Sequence, residues 1–364
     1  MMEDLVNTAL QQLQENHFSE TRLSLSGCVS TVDSICPSLQ TSGQDLSTFL
    51  ECLHSRIHDL EESSRILLLS RLRRIMEISI LHYDTIKTLP TRAIANLCPN
   101  VRCFRIESCK LLSNIQSLLI DFGNIWMLQL HDCPEITSLD FITNCPSNHM
   151  HISHLSIRSC GLVSALEQKK IYDDSERSSK RQRREDRTND PLYTQDIWTR
   201  AFSRLSQTTS NHVELSIAKC ENMFSIPSSI RLLASKITLL HLTNLINLTH
   251  LTSEIGSLRQ LEVFLLLDTA IKHLPMEIGR LGINCLVQVS GKELISPPKC
   301  FRGSMHALRN YFTRKRNRIW RGFIRLSILL RHARNRAIER LYKPGGKGYI
   351  KCRDSFHLKA SEQR

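Results

Sequence analysis

Apolar and polar residues alternate along this chain in an order that predicts a short strand followed by a turn. Between Met127 and Leu139 the sequence reads MLQLHDCPEITSL, in which two leucines flank one polar residue. Successive side chains of a strand point to opposite faces, so the two leucines predict a strand with one buried side. The second half has apolar residues at intervals of three and fits neither a strand nor a regular helix.

The same pattern occurs eight more times at a nearly constant spacing. From Ile78 to Leu155 the steps are 26, 24 and 27 residues. From Leu215 to Val287 they are 25, 24 and 23 residues. Internal repetition with this period predicts a stack of similar units, each of which buries its apolar side against its neighbours. The eight other units begin at Leu23, Ile78, Phe104, Leu155, Leu215, Leu240, Phe264 and Val287.

These units resemble the leucine-rich repeat family, whose pattern is L-x-x-L-x-L-x-x-N/C-x-L with a period of about 20–29 residues. The units with CPEIT after the strand resemble the cysteine-containing subtype, and LPMEIGRL from Leu274 resembles the subtype of plant and animal intracellular repeat proteins. The resemblance implies an α/β leucine-rich repeat solenoid, with a curved parallel sheet and short helices or turns on its convex side. We expect the cysteines at the turn position to pack in the core. They are Cys109, Cys133, Cys160 and Cys220.

Breaks in the repeat period divide the chain into five predicted segments. An array needs helical caps at both ends, because its first and last core layers would otherwise face water. A run that is nearly all charged or hydroxylated cannot bury enough apolar surface to become ordered. The segments are a helical N-terminal cap with one degenerate repeat at 1–74, the repeat array at 75–300, a disordered charged insertion within it at 168–195, a basic amphipathic C-terminal helical cap at 301–343 and a basic tail at 344–364.

The predicted C-terminal helix carries most of the positive charge. Residues 313–343 contain eleven Lys or Arg and one Glu, a net of +10 in a chain of net charge +13. Apolar residues recur there at three- and four-residue spacing, which predicts one apolar stripe that would cap the array. We expect the basic residues to face water, where they could bind nucleic acid or anionic lipid. The stripe is Ile319, Phe323, Leu326, Leu330, Ala333, Ala337 and Leu341. The basic candidates are Arg314, Lys315, Arg316, Arg318, Arg321, Arg325, Arg331, Arg334, Arg336 and Arg340.

A second candidate surface consists of the variable residues between and just after the paired leucines. On a curved sheet these side chains would line the concave side and together form a wide surface suited to a protein partner. We expect Arg105 and Arg158 to contribute most of the binding energy, because arginine is enriched among energetically dominant interface residues. The candidates are Arg105, Glu107, Gln129, His131, Asp132, Arg158, Ser216, Lys219, His241 and Thr243.

Motifs of common enzymes do not occur in the sequence. The chain has no H-E-x-x-H, no G-x-S-x-G and no protein-kinase signature set, so we predict no catalytic residues. Cys98, Cys103 and Cys109 have no common zinc spacing, so no metal or cofactor is expected. Thirteen scattered cysteines and an N-terminus without a signal-peptide pattern predict a reducing compartment. No apolar run approaches the roughly 18 residues of a membrane span.

Together these features predict a non-enzymatic protein-interaction scaffold or adaptor that binds a protein partner on the concave face. One alternative is binding of nucleic acid or an anionic membrane through the basic helix. A second is a ubiquitin-ligase substrate adaptor, although the Leu-Pro start and aromatic core of an F-box are missing before the repeats. We predict a cytoplasmic location. KRQRR, from Lys180 to Arg184, resembles a short nuclear-import signal and would then add a nuclear one.

Overall fold

The computed structural model of the protein describes residues 2–14, 22–26, 34–35, 46–146, 150–162 and 197–342. Within those ranges, the side chains of Ser26, Ser34, Ile35, Trp320 and residues 334–342 lie outside the description. The predicted insertion at 168–195, with the basic run KRQRR, and the predicted tail at 344–364 also lie outside the described residues. The chain divides into two compact units, 1–309 and 310–364.

Within the described ranges, ten strands form a single sheet in which every pair of neighbours is parallel. The order across the sheet is β10-β9-β8-β7-β6-β5-β4-β3-β1-β2, so each repeat adds one strand beside the previous one. The strands are β1 Arg22–Ser26, β2 Ser34–Ile35, β3 Glu77–Leu81, β4 Cys103–Glu107, β5 Met127–His131, β6 His154–Arg158, β7 Val213–Ala218, β8 Ile237–Thr243, β9 Val263–Leu267 and β10 Leu286–Val289.

Helices connect successive strands and also form both ends of the chain. The α-helices are α1 Met2–Gln14, α2 Leu46–His58, α3 Glu62–Leu72, α4 Thr91–Leu97, α5 Leu118–Asp121, α6 Asp140–Thr143, α7 Ile197–Leu205 and α8 Met305–Tyr342. The later repeats use short 3-10 helices instead, at Ser228–Leu233, Ser253–Ser257, Met276–Arg280 and Lys299–Phe301.

The paired leucines of successive repeats form continuous ladders through the core. Leu128 lies beside Leu155, which lies beside Leu215, and each is fully buried. Gln129, between the buried Leu128 and Leu130, points to the other face and is half-buried. This is the period-two alternation of a sheet with one side in the core. Residues 2–309 therefore contain a leucine-rich repeat solenoid, as the repeat pattern predicts.

The sheet is continuous at the weak first repeat and at the interruption between β6 and β7. Leu23 of β1 lies beside Ile78 of β3, so the degenerate first unit contributes a strand in register. Strands β6 and β7 are 54 residues apart between their last and first members, yet they are direct neighbours. The Glu214 amide donates to the Ser153 carbonyl at 2.6 Å and the Ser159 amide to the Ala218 carbonyl at 2.9 Å. The array therefore continues directly across the interrupted segment.

A left-handed residue ends each central strand and ties it to the next repeat. The Asp132 amide donates to the Arg158 carbonyl at 2.8 Å, and the Lys219 amide donates to the Thr243 carbonyl at 3.0 Å. Positive φ is uncommon for residues other than glycine, so its recurrence marks a turn imposed by the stacking. Among the described residues other than glycine, those with this conformation are His82, Ser108, Asp132, Ser159, Lys219, Asn244 and Asp268, with φ between 51° and 58°.

The cysteine that follows this residue in four repeats closes the same turn. The Cys133 thiol donates to the His131 carbonyl at 3.2 Å, and the Cys220 thiol donates to the Ala218 carbonyl at 3.4 Å. Cys109 and Cys160 make the equivalent contact at 3.6 and 3.5 Å. All four are buried, so the expectation that they pack at the turn is confirmed.

At the N-terminal end of the array, α1 and α2 cover the first core layer with apolar side chains such as Leu10 and Phe49. Arg71 of α3 donates from Nη1 to the carbonyls of Leu13 and Gln14, at 3.1 and 2.9 Å. Those carbonyls belong to the last turn of α1, where no intrahelical donor is available. The arginine therefore fixes the end of α1 to α3.

At the C-terminal end, the buried residues precede the stripe that the sequence predicts as the cap. Met305 and Leu308 are buried, and Arg309 donates to the carbonyls of Gly279 and Leu281 at 3.1 and 2.7 Å. In contrast, the described large residues of the stripe are 54–64% exposed. These are Ile319, Phe323, Leu326 and Leu330. That this stripe caps the array therefore stays a prediction. The start of α8 covers this end of the array, and it lies nine residues before Arg314, the first of the predicted basic residues.

Candidate functional site

The outer face of the sheet is the surface formed by the strand residues that alternate with the buried ones. In register, Arg105 of β4 lies beside Gln129 of β5, which lies beside Ser156 of β6. The row continues through Ser216 of β7 and His241 of β8. These side chains stand on hydrogen-bonded parallel strands, so their spacing is fixed by the scaffold rather than by flexible loops.

Eight of the ten predicted partner-binding residues lie on this outer face. Four are in the central row and four are at the strand ends. The central-row residues are Arg105, Gln129, Ser216 and His241, and the strand-end residues are Glu107, His131, Arg158 and Thr243. The other two, Asp132 and Lys219, are turn residues with φ of 52°. Their backbone role is the turn bond to the next repeat, although both side chains are exposed.

The polar cluster is the group of outer-face residues around β4 to β6. Arg105 Nε donates to Gln129 Oε1 at 3.0 Å, and His131 Nε2 lies 3.1 Å from Ser156 Oγ. Burial lowers the pKa of His131, and the positive charges of Arg105 and Arg158 lower it further, against the opposing effect of Glu107. His131 is therefore neutral near pH 7 and acts as a hydrogen-bonding group.

Beside the polar cluster, His154 of β6 and Glu214 of β7 form a cross-strand pair on the outer face. His154 Nδ1 lies 2.7 Å from Glu214 Oε2, and both side chains are partly exposed. A pair of this kind contributes little to folding stability because water screens it.

The apolar cluster is a second group on the outer face, in β8 to β10, and the sequence predictions do not include it. Leu239 lies beside Val263, which lies beside Leu286, and Leu265 lies beside His241. Leu267 completes the cluster beside Thr243. The five apolar residues alternate with the buried ones; Leu286 is 64% exposed and the other four are half-buried. The solvent-facing side of a sheet is usually polar, so apolar residues at these positions are unusual. Packing in the core does not account for them.

The sequence holds a signal for the apolar cluster. Strand β9 reads VFLLL, five apolar residues in succession, where the other repeats place polar residues between the buried pair. Alternation predicts that Phe264 and Leu266 face the core, which leaves Val263, Leu265 and Leu267 outside. The neighbours Leu239 and Leu286 are assigned to the same surface only by the strand register.

The basic segment is the part of α8 from Thr313 to Ala333, and most of its predicted basic residues are exposed. Lys315 is half-buried. The exposed residues are Arg314, Arg316, Arg318, Arg321, Arg325 and Arg331. The remaining candidates, Arg334, Arg336 and Arg340, lie in α8, but their side chains are outside the described part. No helix in the described ranges combines the length and apolar content required to cross a bilayer.

The described residues contain no group of three or more His, Cys, Asp or Glu side chains placed to hold a metal ion. The buried cysteines are also poor nucleophiles. Burial raises the pKa of Cys98 to about 12 and that of Cys220 to about 11. A buried thiol with a raised pKa is protonated near neutral pH and does not react.

We therefore expect iodoacetamide at about pH 8 to modify the folded chain at Cys52 and Cys300 long before Cys98 and Cys220, because the thiolate is the reactive form. Cys52 and Cys300 are exposed, whereas Cys98 and Cys220 are buried. Peptide mass spectrometry after timed quenching measures each rate, and the unfolded chain in urea is the control. Equal rates for Cys220 and Cys52 in the folded chain would contradict the turn packing.

Comparison with known proteins gives matches among solved structures alone. No family model matches the chain. No curated protein matches it either. Among solved structures, the leucine-rich repeat domain of the type III effector XopL is similar, with 16% sequence identity and a TM-score of 0.42. That match covers 80% of this chain and 81% of the XopL domain.

Proposed function

We propose that this protein is a non-enzymatic scaffold that binds a protein partner on the outer face of its sheet. The apolar cluster of Leu239, Val263, Leu265, Leu267 and Leu286 is the observation that supports this most strongly. Contiguous exposed apolar side chains on a folded protein commonly mark interaction sites. They lie on a rigid sheet, so a partner can cover them without first ordering a loop.

The two outer-face clusters suit different parts of one interface. Removing apolar area from water stabilises association by about 25 cal/mol per Å² before the costs of binding, so the apolar cluster would supply affinity. The polar cluster, with Arg105 and Arg158, would select the partner through charge and hydrogen bonds. Interfaces often combine a desolvated apolar centre with a polar rim.

We expect the double variant Leu265→Asp with Leu286→Asp to reduce recovery of specific partners by about tenfold or more, because each carboxylate would have to be buried in the interface. Quantitative affinity purification from cells, with the wild-type chain as reference, measures the recovery. The double variant Arg105→Glu with Arg158→Glu tests the polar cluster in the same way.

Leu67→Asp is the matched control for this experiment, because Leu67 lies on α3 away from the sheet and is 53% exposed. It makes the same chemical change to an exposed leucine, so partners should be retained. Thermal melting of all variants should stay near that of the wild type, since each changed side chain faces water. If both outer-face variants retain every partner that the wild type recovers, the outer face is not the binding surface.

We also propose that the array joins two repeat subtypes, a cysteine-containing one and an intracellular one. Short α-helices connect the strands from β3 to β7, and the repeats from β4 to β7 have a buried cysteine at the turn, which supports the first subtype. The repeats after β7 have 3-10 helices instead. Leu245 takes the place of the cysteine after β8, which supports the second subtype.

We propose a cytoplasmic location. The run KRQRR, which resembles a nuclear-import signal, supports a nuclear location as well. Replacing Lys180 and Arg181 with alanine should shift a fluorescent fusion toward the cytoplasm if the run is active. An unchanged distribution would remove the nuclear proposal. The ubiquitin-ligase adaptor and nucleic-acid alternatives stay predictions, and no contact among the described residues favours either.

A further inference from the structure

The basic segment presents positive charge and exposed apolar surface together. Between Thr313 and Ala333 it has seven Lys or Arg and no Asp or Glu. The stripe residues Ile319, Leu326 and Leu330 are each more than half exposed, as is Phe323. Leucine and isoleucine side chains gain free energy when they leave water, so a helix that exposes a row of them has a surface suited to an apolar environment.

The stripe lies along one side of α8 and basic residues flank it. Ile319, Phe323, Leu326 and Leu330 are separated by four, three and four residues, which places them on one helix face. With about 3.6 residues per turn, Arg318, Arg325 and Arg331 fall on the two sides of that stripe. A partner that contacts the stripe would therefore also meet guanidinium groups on both sides.

Ile324 and Ile328 lie away from the stripe on the same helix. They are four residues apart and fall on roughly the opposite side, by the same helical period. Both are exposed to nearly the same extent as the stripe residues, at 49% and 46%. They provide a matched reference for any experiment on the stripe, because they have the same chemistry in the same helix.

The charge excludes a second copy of this helix as the occupant. Two such segments packed along their stripes would bring seven positive charges on each helix together with no carboxylate between them. Like charges at close range destabilise helix pairing. The occupant must therefore be anionic and must also accept apolar side chains.

Nucleic acid satisfies only one of these two requirements. Its phosphates would pair with the arginines, but the aliphatic side chains of the stripe, Ile319, Leu326 and Leu330, would stay in water. An anionic bilayer satisfies both, because its headgroups bind guanidinium groups while its acyl region accepts the stripe. Six of the seven basic residues are Arg, which binds phosphate oxygens in bidentate geometry.

We propose that residues 313–333 bind the surface of an anionic phospholipid bilayer, with α8 lying parallel to the membrane plane. Ile319, Phe323, Leu326 and Leu330 enter the boundary between headgroups and acyl chains. Arg318, Arg325 and Arg331 bind lipid phosphates on either side. A flat bilayer can cover the whole stripe at once, whereas a nucleic acid or a second α8 cannot.

Vesicle co-sedimentation of the full chain tests this proposal. We expect binding to vesicles with about 30 mol% phosphatidylserine in phosphatidylcholine, and at least about tenfold weaker binding to phosphatidylcholine alone, because each basic residue near an anionic surface adds to the attraction. Binding should weaken steeply between about 50 mM and about 500 mM salt, over which the Debye length shortens several-fold.

The stripe is tested by Leu326→Asn with Leu330→Asn against the matched pair Ile324→Asn with Ile328→Asn. The stripe variant should bind phosphatidylserine vesicles at least about tenfold more weakly, because two buried leucine side chains are lost from the acyl boundary. The matched pair should change binding by less than about twofold. Leucine favours a helix slightly more than isoleucine does, so circular dichroism of each purified chain verifies that the two pairs keep equal helix content.

Three results would overturn the proposal. The first is no sedimentation of the wild-type chain with phosphatidylserine vesicles at low salt. The second is equal weakening by the stripe pair and the matched pair. The third is tighter binding to single-stranded poly(U) RNA than to the vesicles, with no effect of the stripe variant, which would assign the segment to nucleic acid.

Discussion

Phe264→Ala is expected to lower the free energy of unfolding by about 3–5 kcal/mol, the usual cost of removing a fully buried aromatic side chain. Phe264 is 0% exposed in β9, where it lies between Leu240 of β8 and Val287 of β10. The cavity would lie between three repeats at once. Because each repeat is stabilised only by its neighbours, that loss should affect the array on both sides.

Urea denaturation followed by circular dichroism measures the change, and Phe323→Ala is its control. Phe323 is also a phenylalanine in a regular element, the helix α8, but it is 64% exposed. Its replacement should leave the urea midpoint within the range of ordinary surface substitutions, about 0.5 kcal/mol. Comparable losses for both variants would mean that the burial of Phe264 does not stabilise the array.

Gly256→Ala is expected to destabilise the protein by about 2–3 kcal/mol, as overpacking typically does. A Cβ atom at position 256 would lie 2.4 Å from the Glu277 carbonyl oxygen and 2.7 Å from the Glu277 Cβ. One of these contacts is with backbone, which cannot move without disturbing the 3-10 helix at Met276–Arg280. Two successive repeats approach each other at this glycine because it has no side chain.

Gly322→Ala is the matched control, since a Cβ atom at position 322 would meet nothing within 4 Å. Gly322 lies inside α8, where alanine is favoured over glycine by about 1 kcal/mol of helix propensity. The thermal melt should therefore drop for Gly256→Ala and stay level or rise for Gly322→Ala. An unchanged melt for Gly256→Ala would mean that the two repeats are farther apart than the structure places them.

The outer face of the sheet and the basic segment are proposed as independent binding surfaces. A negative result for one surface leaves the proposal for the other unchanged. Variants in the apolar cluster should lose protein partners while vesicle binding persists. The stripe variant should show the reverse. A variant that loses both activities together with its thermal transition has unfolded, and the melt identifies that case directly.

Much of the repeat array follows from the sequence because its signals are local. Leu128 and Leu130 alternate with polar residues, and the same spacing recurs every 23 to 27 residues, so strand, buried side and stacking order are all predictable. The cysteine at the turn is also local, since it lies at a fixed offset from the strand. A helix over the arginine-rich C-terminal segment follows equally from three- and four-residue spacing.

Contacts between repeats could not be predicted in the same way. The prediction of one array with an insertion at 168–195 already makes β6 and β7 neighbours, but only the structure gives their register, in which Leu155 lies beside Leu215. The left-handed backbone at Asp132 and Lys219 arises from an amide bonding to the next repeat. Without that contact, both residues are indistinguishable from ordinary variable positions beside the strand.

The sequence by itself therefore determined the repeat, the buried ladder and the charge of the C-terminal helix, because each depends on periodicity within one segment. Only the tertiary structure decided which surfaces face water. Strand register brings Leu239, Val263 and Leu286 side by side from three separate repeats. Met305 and Leu308 at the start of α8 are buried, and the described large residues of the predicted stripe are exposed. Exposure depends on what packs against a residue, and a local pattern does not specify that neighbour.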